Sequence, residues 1–156
     1  MNPDHNIAPI NPLPWVVWAM ALPLIAMELL FGLGDAGLVG GPDAIGWRLD
    51  AVQRFAFSPD LMRGMIAYNT YPPMDVLRLV TYPLVHQSLS HAVFVIVILL
   101  ALGKMVGEVF RAWAMLVVVI GSGVIAALVY TAIPGMSAAL IGGYPPVYGL
   151  IGAFTF

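Results

Sequence analysis

The sequence predicts an all-α bundle of membrane-spanning helices, and three observations carry that reading. Of the 156 residues, 61% are hydrophobic and 9% charged, against about 45–50% and about 25% in an ordinary soluble domain. The mean hydropathy is +0.94. The apolar residues gather into runs of spanning length, about 20 residues. Such a chain is not a soluble enzyme, a disordered protein or a nucleic-acid binder, because the net charge is −2 and no basic run exists. Cysteine is absent, which excludes a disulfide framework, thiolate catalysis and Cys-ligated metal. Histidine occurs only at positions 5, 86 and 91, so neither a metal site nor a cofactor is expected.

Residues 1–14 read as a tail and 15–156 as one membrane domain. The first span is placed at 15–33, between Asn11-Pro12-Leu13-Pro14 and Gly34-Asp35. The second is placed at 89–110 and the third at 112–133. A re-entrant loop, 134–146, leads to a fourth apolar run that starts at Val147 and is still apolar at Phe156. Ten residues rise only about 15 Å, so the sequence reads as cut within its fourth helix. Trp15, Trp18, Trp113 and Tyr130 fall where an aromatic belt belongs. Lys104 and Arg111 flank the short connection between the second and third spans, which places that connection, and the N-terminus, on the cytoplasmic side. The tail lacks the basic region and small-residue site of a cleaved signal peptide.

Residues 35–87 form a long outer segment. Ile45, Leu49, Val52 and Phe55/Ala56 share one helical face, with Asp50 and Arg54 as an i,i+4 pair on another. Ser58-Pro59-Asp60 supplies an N-cap, a first-turn proline and an acid at the positive helix end. Leu61, Met62, Met65 and Ile66 follow as its apolar face. The expectation is two short amphipathic helices lying at the interface. Glu28, inside the first span, costs about 2.5–3.5 kcal/mol if it faces hydrocarbon at mid-depth. Either it reaches water near the outer surface, or it links to another helix or subunit. Gly103-x-x-x-Gly107, Ser122-x-x-x-Ala126, Gly123-x-x-x-Ala127 and Gly149-x-x-x-Ala153 have the small-residue spacing that lets helix backbones approach.

Two stretches resemble the rhomboid family of intramembrane serine proteases and their inactive relatives. In Leu77-Arg78-Leu79-Val80-Thr81-Tyr82-Pro83-Leu84-Val85-His86-Gln87-Ser88-Leu89-Ser90-His91, Arg78, Thr81, His86, Ser88 and His91 match the family's Trp-Arg, Thr and His-x-Ser-x-x-His pattern. Leu77 stands where the family has Trp. Gly103 matches a family glycine twelve residues beyond His91. Gly142-Gly143-Tyr144-Pro145-Pro146-Val147-Tyr148-Gly149-Leu150-Ile151-Gly152-Ala153-Phe154 resembles the Gly-x-Ser-Gly motif and the helix that it opens. The resemblance implies a rhomboid-like bundle with a membrane-lying first loop, in a bacterial inner membrane.

The chemistry implied by the resemblance departs from the active pattern. An active member has a serine where this sequence has Tyr144, with Pro145 in place of the following glycine. It has an Asn oxyanion donor where this sequence has Val95. The catalytic His lies on a sixth helix, beyond Phe156. A competing register, Gly135-Met136-Ser137-Ala138-Ala139, supplies a serine but puts Pro145-Pro146 inside the following helix, where proline is costly. No catalytic residue is therefore assigned. His91, Tyr148 and Gly142 are expected to line a vestigial site, a polar-lined notch opening sideways to lipid. Arg78, His86 and Gly103 are expected to be structural. Inactive relatives bind transmembrane segments of other proteins, so the expected function is client handling or service as an accessory subunit. The alternative is an active serine endopeptidase. The expected partners are the lipid bilayer and other integral membrane proteins, met through Glu28, Arg54 and Arg63. Membership of an oligomer stays open.

Overall fold

The computed structural model describes residues 12–155. Residues 1–11 of the expected tail, and Phe156 of the fourth apolar run, lie outside the described residues. Seven α-helices follow in chain order among the described residues: α1 Trp15–Asp35, α2 Trp47–Phe55, α3 Pro59–Tyr68, α4 Pro73–Thr81, α5 Leu89–Val109, α6 Ala112–Ala132 and α7 Tyr144–Phe154. Short 3-10 segments, Gly41–Gly46 and Tyr82–Leu84, lead into α2 and out of α4. The fold is all-α, with one isolated antiparallel bridge between Phe57 and Leu140.

Helices α1, α5 and α6 have 21 residues each and are long and apolar enough to cross a membrane. At about 1.5 Å per residue such a helix matches a hydrocarbon core of about 30 Å. The protein is an integral membrane protein of the helical-bundle class. Its helices pack in an arc: α1 on α5, α5 on α7, and α7 on α6. Small residues stand at the closest approaches. A Cβ added at Gly103 would lie 2.9 Å from Val17 Cγ1, and one at Gly107 would lie 2.8 Å from Pro14 Cγ. On α7, Gly149 faces the Ser122 hydroxyl of α6. The buried core between these helices includes Val17, Leu24, Val95, Leu99, Met115 and Leu150.

Helix α7 starts at Tyr144, three residues before the expected start. Pro145 and Pro146 occupy its first turn, where a missing N–H costs nothing and the fixed φ suits a helix. The outer segment holds three α-helices rather than two. α4 begins at Pro73 directly after Pro72, a pair that reads as a breaker in sequence but serves as a helix start. The expected apolar face of the first outer helix also changes. Ile45 and Leu49 are exposed, because a 3-10 turn ends before α2 and Arg48 takes the inward position. The expected Asp50–Arg54 ion pair does not form among the described residues. α3 is built as its sequence suggests: the Ser58 hydroxyl accepts from the Leu61 N–H at 3.3 Å, and Asn69 closes the helix at φ 51°. Its Met65 is buried, while Leu61 and Ile66 are exposed.

Candidate functional site

Two loops and three helix ends converge on His86 and His91. The Ser88 hydroxyl caps α5 by accepting from the His91 N–H at 3.3 Å, which puts His91 on the first turn of that helix. His86 stands just before the helix and is fully buried. The two imidazoles meet edge to face, with centroids 5.0 Å apart. The loop before α7 comes against both rings. Gly142 has φ +88°, and a Cβ there would lie 2.6 Å from two atoms of the His91 ring. Only glycine meets both demands, the left-handed backbone and the close approach. Its N–H donates to the Tyr82 carbonyl at 3.0 Å.

The next residue completes the junction. The Gly143 N–H donates to His86 Nε2 at 3.3 Å, so that nitrogen carries no proton. A Cβ on Gly143 would meet Val95 Cγ1 at 2.6 Å. Tyr144 then lays its ring on His91, with centroids 5.0 Å apart and planes 19° from parallel. Tyr148 continues the stack one turn along, 6.2 Å from Tyr144, and is itself exposed. No hydrogen bond joins the Tyr144 hydroxyl to an imidazole.

Behind His86 lies a charged pair. Arg48 of α2 donates to both carboxylate oxygens of Glu28, at 3.0 and 2.8 Å, and to the His86 carbonyl at 3.2 Å. The guanidinium also lies over the Phe31 ring, 5.0 Å from its centroid. Glu28 is 5% exposed. Its Oε1 lies 3.9 Å from His86 Nδ1, which has no hydrogen-bond partner. Burial, with the nearby His91 and Arg48 charges, lowers the His86 pKa from 6.5 to about 4. The imidazole is therefore neutral at pH 7, as its acceptor role toward Gly143 requires.

The expected contact residues divide. Glu28 is committed within the chain, to Arg48, because two charges leave water together more cheaply as a bidentate pair than singly. Arg63 is likewise internal: it donates to the Thr131 and Ile133 carbonyls at 3.0 Å each, at the C-terminal end of α6, and pairs with Asp60 at 2.7 Å. A cation at the negative helix end and free carbonyls explain that placement. Arg54 is exposed and has no ion-pair partner among the described residues. Arg78 donates to the Gln53 and Ala56 carbonyls at 3.0 Å each and pairs with Asp75 at 3.2 Å, which fixes α4 to the end of α2. Arg48 and Tyr82 are functional supports that the sequence reading passed over. Tyr82 is fully buried and donates to the Gly123 carbonyl at 2.8 Å. Twenty residues separate Arg48 from Glu28, so no local pattern marks the pair.

The cavity that opens sideways between α1 and α6, about 190 Å³ in volume, is lined by apolar side chains. None of Glu28, His86 and His91 lines it. Gly143 and Val95 line this cavity, and Gly143 also faces His86. Among the described residues no group of three or more His, Cys, Asp or Glu side chains is placed to hold a metal ion.

The converging stretches, Arg78 to His91 and Gly142 to Phe154, belong to one recognisable unit: the rhomboid domain family model matches residues 73–156, more than half of the chain. The protein belongs to the rhomboid family. No curated protein and no solved structure matches the chain. Tyr144 is the first residue of α7.

Proposed function

We propose that this rhomboid-family protein does not cleave peptides and instead binds transmembrane helices of other membrane proteins, as a client-handling factor or an accessory subunit. The observation that carries the reading is the ring of Tyr144 stacked on His91. In the family register Tyr144 holds the place of the nucleophile. A phenol with a pKa of about 10 is a weak nucleophile unless a base takes its proton. Stacked rings offer no such transfer, because the hydroxyl must point at an imidazole nitrogen to give up its proton. Val95 holds the place of the oxyanion donor and has nothing to donate. Pro145 deletes one more N–H from the turn.

The competing serine has less in its favour. Ser137 lies exposed in the irregular stretch between α6 and α7, not at a helix start. The binding half of the proposal rests on the surface that is left. Trp18, Leu22, Leu29 and Leu30 of α1 are exposed. Two helices meeting in lipid gain specificity from close packing and hydrogen bonds rather than from apolar area. The setting proposed is a bacterial inner membrane with a cytoplasmic N-terminus.

The test is incubation of the purified protein with a fluorophosphonate probe and a transmembrane substrate, beside pull-down from native membranes in mild detergent. The expected result is no labelling, no cleavage and a stoichiometric membrane-protein partner. Labelling that disappears in Ser137→Ala, together with cleavage, would establish the protease instead. A monomer that cross-links to nothing in native membranes would refute the binding role.

A further inference from the structure

Among the described helices, α1 and α6 touch over only a few residues. Between them, under α4 and the 3-10 turn that follows it, lies the apolar cavity of about 190 Å³. Its deep wall is Leu24 of α1, Leu99 of α5, Gly123 of α6 and Val147 of α7, all buried. Its mouth is framed by Ala19 and Pro23 of α1, Val80 of α4 and Ile120 of α6, all exposed. No hydroxyl, amide or ionisable side chain lines it.

We infer that this cavity holds the acyl chain of a membrane phospholipid. Water is a poor occupant, since a buried water needs two to four polar partners and apolar cavities of about 150 Å³ stay dry and take up benzene. A dry void leaves the atoms of its wall without contacts on one side. The medium outside the mouth decides which apolar molecule fills it. α1 and α6 cross the bilayer, and the lining residues Leu24, Leu99 and Ile120 lie near the middle of their helices. The mouth therefore opens onto lipid tails, and a tail can enter sideways with no polar group to desolvate. The bound chain acts as a replaceable wedge between α1 and α6 and supports α4 from below. This inference stands whether or not the protein cleaves or binds other helices.

The experiment uses the protein reconstituted in phosphatidylcholine vesicles doped with a phosphatidylcholine that carries a diazirine at mid-chain. After irradiation, labelled positions are mapped by mass spectrometry. Leu24 and Leu99 are expected to be labelled to within a few-fold of the exposed Val97 and Val117. Val17 and Met115, buried outside the cavity, are expected to stay unlabelled. Ala19→Phe at the mouth is expected to reduce labelling of Leu24 and Leu99 at least fivefold and leave Val97 and Val117 unchanged. Ile120→Phe, on the opposite rim, gives the same reading if Ala19→Phe does not fold. Label confined to exposed positions would overturn the inference, as it would if a side chain of a captured helix filled the space. Cavity label unchanged in a folded mouth variant would overturn it too.

Discussion

Replacing Arg48 by Met would leave the Glu28 carboxylate buried with no counter-charge. In the native protein Arg48 makes both N–O contacts to that carboxylate and a third to the His86 carbonyl. Glu28 is 5% exposed and Arg48 19%, so little water can replace the lost donors. Removing one partner of a buried pair costs about 3–5 kcal/mol. For a chain of this size each kcal/mol shifts a melting midpoint by about 2–4 °C, so Arg48→Met should lower it by roughly 6–20 °C. Glu28→Leu combined with Arg48→Met removes both charges and both desolvation costs, and should recover most of that loss, because apolar replacements of buried pairs are often neutral or better. The assay is tryptophan fluorescence during heating in a mild detergent at pH 7.5, with the four proteins of a double-mutant cycle. A single variant within about 1 kcal/mol of the native protein would show that the pair is not a buried one. A double variant as unstable as Arg48→Met would refute the reasoning that an orphaned carboxylate is the damage.

His86 makes a pH prediction. Its folded pKa is about 4 against 6.5 when unfolded, so between those values the unfolded chain takes up a proton that the folded one does not. Stability from this group is complete above about pH 6.5 and falls as pH drops toward 4, by at most on the order of 3 kcal/mol. His86→Asn should flatten that part of the melting profile; an unchanged slope would assign it to other groups. Gly142→Ala should cost roughly 1–3 kcal/mol, since the new methyl needs φ +88° and meets the His91 ring at 2.6 Å, and a melting curve within experimental error of native would contradict that geometry. Tyr144→Ser should yield no measurable cleavage of a transmembrane substrate, because Val95 still cannot donate and Pro145 still lacks an N–H; turnover above background would show that Tyr144 alone blocks the chemistry.

Several parts of the fold were legible from local chemistry. The spanning helices follow from long apolar runs, and α3 from Ser58-Pro59-Asp60, because a cap and a first-turn proline act within one turn. The approach of Tyr144 to His91 was legible only through family resemblance. The third outer helix was hidden because Pro72-Pro73 reads as a breaker, although α4 separates its apolar and polar residues sharply. The partners that Glu28 and Arg63 find within the chain were hidden for a common reason. A charged side chain next to a membrane can find its partner in water, in a neighbour or in its own chain, and sequence spacing does not say which.

By itself the sequence determined the medium and the class. Hydrocarbon demands unbroken apolar helices whose backbones satisfy themselves, and composition records that demand directly. Only the tertiary structure decided where the charges go and what is left open. Arg48 reaches Glu28, Arg63 reaches the end of α6, and α1 and α6 leave an apolar cavity between them. These are contacts between residues 20 or more positions apart. They depend on how the helices cross, which small residues permit at Gly103 and Gly149 but do not specify.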